Sequence, residues 1–387
     1  MALPLKYNIR NLTVRKGSTL ATAASVGLTV AVFLMVMSLA RGIELTLTSS
    51  GEPLNLIVLR NGSTAEMMSS VTVENFNTLR YLEGVVHEGD QPLVTPELTT
   101  LIYKARKGQT QGSNITVRGI GPMSLKLRSG FKVVEGRMFQ TGLTEAIVSR
   151  RIYERFQGLG IGDRFRVQGA DYTVVGIFAA EGKAFESEIW ADVNVLKNSR
   201  RLQTYSSILM RVKDSDTLAA LAKRISDDQR LQLKAVPERT FYEEQQGTTS
   251  AALKYLGGFI SFIMAVGACF AGMNTMYAAV ANRTQEIGTL RVLGFKRRSI
   301  LLAFVLESVA IAVVGVAIGV LLALPLNFVS TGTSNWVTFS EIAFNFRVTP
   351  GLIIAALIFG VGIGFFGSLL PSLRASRFKI IDALRAT

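Results

Sequence analysis

Hydrophobic and polar positions divide this chain sharply. Between Lys16 and Arg41 lie 24 residues without a charge, and three further apolar runs are packed into the last 135 residues. At 1.5 Å rise per residue each run is long enough, as a helix, to cross a hydrocarbon layer about 30 Å thick. The pattern predicts spans at 18–40, 255–281, 300–325 and 351–371. The first has an apolar core longer than a signal peptide's, with no small-x-small cleavage site before the polar region, so it reads as an uncleaved span.

Residues 42–250 have a different texture. Short runs rich in β-branched residues, bounded by Gly, Asp, Asn or Ser, predict strands at Leu54–Leu59, Ile115–Arg118, Glu145–Val148, Arg164–Val167, Tyr172–Phe178 and Ile208–Val212. Apolar spacing of three and four predicts helices at Val73–Leu82, Arg150–Phe156, Val193–Arg201 and Thr217–Asp228. An insert of this length can bury its own core. The expected fold class is therefore a polytopic α-helical membrane protein of four transmembrane helices carrying a large mixed α+β extracytoplasmic domain of two lobes. The expected lobes are 42–118 plus 205–240, and an inserted one at 119–204. A cytoplasmic interfacial helix is expected within 1–17, with Leu5, Ile9 and Leu12 on one face. The remaining pieces are a cytoplasmic helix within 282–299, an external loop at 326–350 and a cytoplasmic tail at 372–387.

Composition supports this division: hydrophobic residues make up 49% and the mean hydropathy is +0.33. Net charge is +14, and three short pieces, 1–17, 282–299 and 372–387, hold +11 of it. By the positive-inside rule those pieces are cytoplasmic, which places both termini inside and the long insert outside. The basicity is thus a topological signal, and no nucleic-acid partner is expected. One cysteine, Cys269, and one histidine, His87, exclude an intramolecular disulfide and a thiolate–imidazole zinc site. Glu186 and Glu188 flank Ser187 with no base evident beside them, and neither Gly-x-Ser-x-Gly nor a Walker pattern occurs. The insert reads as a non-catalytic binding or coupling module.

The most informative short segment is 282–300. On a helix, Arg283, Ile287, Leu290, Arg291 and Gly294 share an arc of roughly 100°. That mixed basic and apolar face suits a protein groove with acidic walls; a plain positive-inside loop fits the same residues. The run Arg283-x-x-Glu286-Ile287-Gly288-x-Leu290-Arg291-x-Leu293-Gly294 resembles the coupling-helix segment of ABC transporter permeases of the MacB and FtsX type. Phe304-x-x-Glu307-Ser308, Gly315-x-x-x-Gly319 and Pro371-x-x-Arg374-Ala375-x-x-Phe378-x-x-Ile381-Asp382-Ala383-Leu384-Arg385 continue the resemblance. So do Val134-Glu135-Gly136-Arg137 and Val174-Val175-Gly176-Ile177-Phe178 in the insert.

The resemblance implies a dimer of permeases in the bacterial inner membrane, homomeric or heteromeric. Each would contact a separate ABC ATPase subunit through Arg283, Glu286, Ile287, Gly288, Leu290, Arg291 and Gly294. ATP and Mg would be bound by that partner, with no cofactor in this chain. It further implies force relay to the external domain, with a periplasmic adaptor and an outer-membrane channel as export partners. LolC/LolE-like lipoprotein extraction and FtsX-like activation of a cell-wall hydrolase are the alternatives within the family.

Two features of the spans remain. Glu307 falls about 13 Å into the membrane and is a functional candidate by position, or else a structural acid paired with a basic group. Gly267, Gly272, Gly315, Gly319, Gly360 and Gly364 allow close helix approach, some of it at a dimer seam. An ion-coupled transporter is the weakest rival, because Glu307 alone offers an intramembrane titrating group.

Overall fold

The computed structural model describes residues 16–48, 50–334 and 340–377. The predicted interfacial helix within 1–17 and residues 378–387 of the tail fall essentially outside that range. The chain forms two compact units, a helical one (1–41, 251–329 and 346–387) and a sheet unit (42–250 and 330–345).

Four long helices run through the helical unit: α1 (Lys16–Thr48), α6 (Glu238–Ala281), α8 (Arg297–Ala323) and α9 (Pro350–Ser376). Segments Thr19–Thr46, Ala251–Ala281, Arg297–Phe328 and Pro350–Ser376 are each long and apolar enough to cross a membrane. α9 starts where Thr349 accepts a hydrogen bond from the Leu352 amide and Pro350 presets the first turn. The core joins Val26, Val30 and Leu34 of α1 to Ala268, Ala312, Val316, Ala356 and Ile363. Phe33 stacks on Phe359 with ring centroids 4.9 Å apart. Large apolar side chains such as Phe259, Phe262, Phe270, Ile354 and Ile358 point outward, an arrangement suited to a lipid solvent.

The sheet unit is one ten-stranded mixed sheet. Its strands are β1 (Asn55–Arg60), β2 (Val94–Ala105), β3 (Gly112–Ile120), β4 (Lys132–Gly136), β5 (Glu145–Ser149), β6 (Arg164–Val167), β7 (Ala170–Ala179), β8 (Glu188–Asp192), β9 (Ser207–Arg211) and β10 (Leu233–Pro237). They lie in the order β10-β1-β9-β2-β3-β8-β5-β7-β4, with β6 paired to β7. β3 with β8 and β5 with β7 are parallel; the other neighbours are antiparallel. Helices α2 (Val73–Leu79), α3 (Arg150–Arg155), α4 (Val193–Ser199) and α5 (Ser215–Asp227) pack on it, each opened by a side-chain cap from Thr72, Ser149, Asp192 or Asp214.

Two hydrophobic cores lie along this sheet. One gathers Leu56, Val58, Val71, Leu79, Ile208, Met210, Leu218 and Leu221. The other gathers Leu98, Ile102, Ile115, Val117, Val148, Ile152, Phe165 and Ile189. The expected lobe boundary at 118/119 is therefore displaced toward residue 95. The outer half of β2 and the middle of β3 bury their side chains in the second core, and β2 belongs to both.

The expected external loop at 326–350 is also corrected. Ser330–Ser334 (β11) and Glu341–Asn345 (β12) pair as an antiparallel hairpin belonging to the sheet unit. Glu341 is buried against Arg106 and Arg155, the Ala343 amide donates to Ser187 Oγ at 2.8 Å, and Phe344 is buried. At Gly332 the fit is close enough that a Cβ would sit 2.5 Å from Glu341 Oε1.

Candidate functional site

Between α6 and α8 lies a short helix, α7 (Thr284–Val292), which carries most of the segment singled out above. Its end is set by Gly294, at φ +90°, a left-handed conformation that a side chain would strain. The Leu293, Gly294 and Phe295 amides donate back to the Thr289, Arg291 and Leu290 carbonyls, closing the turn before α8. Gly294 thus serves the turn.

The structure places the expected contact face mostly inward. Arg283 is buried, and its Nη1 donates to Glu307 Oε2 at 3.0 Å and Oε1 at 3.3 Å. Ile287 inserts among Met276, Val280, Ile300, Phe304 and Ala375. Gly288 is buried, and Leu290 and Arg291 are half-buried. Glu286 is exposed, as are Gln285, Thr289, Val292 and Leu293, the last two at 60% and 66%. So Arg283, Ile287 and Gly288 hold the helix, whereas Glu286, Val292 and Leu293 present it. The reason is that the arc carries Ile287, which an apolar cluster takes up, and Arg283, which Glu307 pairs. The signal for the missed residues was present, since Val292 and Leu293 are large apolar groups beyond the Ile287 plug. Lys296, Arg297 and Arg298 add an exposed basic rim.

Glu307 therefore has a partner. Removing either member of a buried ion pair strands the other charge and costs several kcal/mol, on the order of 3–5. The pair ties the entry of α7 to α8.

The glycines separate into two groups. At Gly315 and Gly319 an added Cβ would lie 2.7 Å from the Ala23 and Gly27 carbonyl oxygens, so α8 seats against α1 at backbone distance. Gly360 and Gly364 of α9 make room instead for the side chains of Val316 and Ala312 of α8. Gly267 and Gly272 meet nothing within 4 Å in this chain, so of the expected packing glycines these two are left for a contact outside it.

The sheet unit contains a second notable cluster. Arg118, 3% exposed, donates to Glu188, Glu66 and Glu97, each at 2.8 Å. Arg128 also pairs with Glu97, Trp190 Nε1 donates to Glu188, and Ser207 Oγ donates to Glu66. Burial works against the Glu97 charge, yet Arg128 and Arg118 hold its carboxyl down to about 2. Glu188 is thereby a member of a buried network, and Glu186 pairs with Arg151 at 2.7 Å. Ser187 accepts from the Ala343 amide, so this trio is structural. Among the described residues no group of three His, Cys, Asp or Glu side chains is arranged to hold a metal. His87 is exposed on the surface.

Two family models match the chain. A MacB-like periplasmic core domain covers residues 19–228, more than half of the chain, and an FtsX-like permease C-terminal region covers 258–380. Among curated relatives, a macrolide export ATP-binding/permease protein MacB 1 of Aeromonas hydrophila is 27% identical over 83% of this chain and 50% of its own length. The MacB of Burkholderia thailandensis is 26% identical over 70% of this chain and 43% of its own length. The chain thus spans about half the length of the curated relatives it matches. Solved structures that match include the extracellular domain of the noncanonic ABC-type transporter YknZ from Gram-positive bacteria (20% identity, TM-score 0.36, 47% of this chain and 99% of that one). The periplasmic region of MacB from Actinobacillus actinomycetemcomitans also matches (14% identity, TM-score 0.36, 50% of this chain and 92% of that one).

Proposed function

Because the chain belongs to the family of permeases that join a MacB-like periplasmic core domain to an FtsX-like C-terminal region, we propose that it is the permease subunit of an ABC transporter. In this reading a separate ATPase subunit binds ATP and Mg and docks on the exposed face of α7. ATP-driven motion is relayed to the sheet unit, which moves a substrate or partner on the far side of the bacterial inner membrane. Both termini and α7 lie in the cytoplasm, as the charge distribution implies. A second permease copy completes the assembly, and a periplasmic adaptor, with an outer-membrane channel, receives the substrate. The observation that carries this reading is the mounting of α7. It is locked by Arg283–Glu307 and by the Ile287 plug, and it offers Val292 and Leu293 outward.

The pairing of Glu307 also bears on the ion-coupled rival. A carboxylate held by a buried guanidinium serves as a strut, and proton carriage would require breaking that pair.

The test uses the lone cysteine. In a Cys269→Ser background, Leu293→Cys is introduced and the membranes are treated with a short bifunctional thiol–amine cross-linker. The expected product joins this chain to an ABC ATPase, and it shifts in yield with a non-hydrolysable ATP analogue. A cross-link confined to non-ATPase proteins would overturn the assignment. An adaptor that co-purifies supports export; a hydrolase or lipid-modified cargo in its place redirects the reading within the family.

A further inference from the structure

The segment that follows α1 and the start of α6 both lie in the sheet unit, and one side chain ties them together. Glu238, the first residue of α6, is 0% exposed. Its Oε2 accepts from the Glu52 amide at 3.0 Å and from Asn55 Nδ2 at 2.9 Å. Its Oε1 is buried and, among the described residues, meets no hydrogen-bond partner. The passages also touch at Gly51, where a Cβ would lie 2.5 Å from the Arg239 Cα.

The charges around Glu238 are already committed. Arg128 pairs with Glu97, and Arg118 with Glu66, Glu97 and Glu188. Arg211 donates to Asn55 Oδ1 and the Leu127 carbonyl, and Lys183 pairs with Glu52. Tyr242, one turn along α6, is buried too, and Arg239 and Glu243 pair with each other at the surface. Counting Glu66, Glu97 and Glu188 against Arg118 and Arg128, the buried cluster already has one carboxylate to spare. An ionised Glu238 would be a second. A neutral one needs no counter-charge, whereas among the described residues no donor reaches Oε1 to stabilise a negative charge there.

We propose that Glu238 is a proton-sensitive latch: neutral, it clasps residues 50–55 to the start of α6; ionised, it loosens that junction. Burial, reinforced by the Glu97 carboxylate and opposed by Arg128, pushes its carboxyl up to about 7. The stabilisation is complete below the ordinary carboxylate range and is lost as pH rises to about 7. The pH of an extracytoplasmic space therefore reaches the helix that leads to the second span. This inference needs no ATPase and stands apart from the proposed transport reaction.

The experiment is amide hydrogen exchange on the full chain in detergent at pH 5 and pH 8, corrected for intrinsic exchange. Opening of residues 50–55 and 238–242 is expected to rise roughly 50-fold between those pH values. In Glu238→Gln the dependence should vanish. Equal protection at both pH values in the unmodified chain, or dependence persisting in Glu238→Gln, overturns the proposal. Should that variant not fold, infrared titration of the unmodified chain decides. A protonated-carboxyl band lost with a midpoint near 7 supports the latch, and absence of such a band at pH 6 refutes it.

Discussion

In the helical unit one arginine meets one glutamate, Arg283 and Glu307, at 3.0 Å among apolar helices. In the sheet unit Arg118 alone serves three carboxylates, with Arg128, Trp190 and Ser207 closing the remaining bonds. The apolar matter differs in parallel. The helical unit packs by backbone approach at Gly315 and Gly319 and by side chains seated on Gly360 and Gly364, whereas the sheet unit packs through two cores of branched and aromatic side chains. In lipid there is little hydrophobic drive between helices, so close contact and rare polar pairs must hold them. In water the cores supply the drive, and buried charge serves to fix one arrangement. A distributed network makes a stiff body. A single pair, with the Ile287 plug beside it, holds a short helix at two points and leaves its far end exposed.

The largest effect is expected where the network is densest. Arg118→Met leaves Glu66, Glu97 and Glu188 without their common donor. The sheet unit should lose about 3–5 kcal/mol, read as a lower urea midpoint with the full chain in detergent. Trp190 fluorescence reports it locally, since its indole donates to Glu188. A loss under about 1 kcal/mol would mean that solvent or relaxation replaces the network, and the contrast between the units would fall with it.

Next in size is the single pair. Glu307→Gln leaves Arg283 buried with a neutral partner, and the long arginine stem can swing toward water, so a loss of about 2 kcal/mol is expected. The sharper readout is functional: ATPase stimulation should fall while the cross-link at position 293 persists. Exchanging the charges, Arg283→Glu with Glu307→Arg, should recover part of both. If the single variants couple normally, the pair is ordinary packing and α7 is mounted by Ile287 alone.

The sequence showed some of this and concealed the rest for definite reasons. Spans were legible because a membrane demands uninterrupted length, and the insert's expected strands and helices recur with their ends shifted by up to three residues. β2 was hidden because Pro96 and the buried Glu97 interrupt its apolar pattern. The pairing of β11 with β12 was hidden because β11 is all small and polar and five residues are too few for a period to read. Around α7, the helix is shorter than the expected arc, with Arg283 before it and Gly294 in the turn after it, and spacing cannot say which side of an amphipathic helix is buried when the face mixes charge and apolar groups. That needed the partner, Glu307, which lies 24 residues away along the chain. The Arg118 network draws its carboxylates from β2, β8 and the turn at Glu66–Met68, a convergence that only the strand order reveals.

The smallest effects separate the two groups of glycines. Gly319→Ala drives a methyl against the Gly27 carbonyl and the stiff side chain of Val30, and the helical unit should lose roughly 1–2 kcal/mol. Gly272→Ala adds a methyl to open space on α6, and stability should stay within about 0.5 kcal/mol of the parent. Unfolding of both variants in the same detergent checks the difference, and equal losses would mean that something outside this chain already covers Gly272. The second copy in the proposed assembly is such a cover. Gly272→Leu then distinguishes a bare lipid face from a seam: on lipid it leaves the assembly unchanged, and at a seam it weakens self-association while the fold of each chain persists.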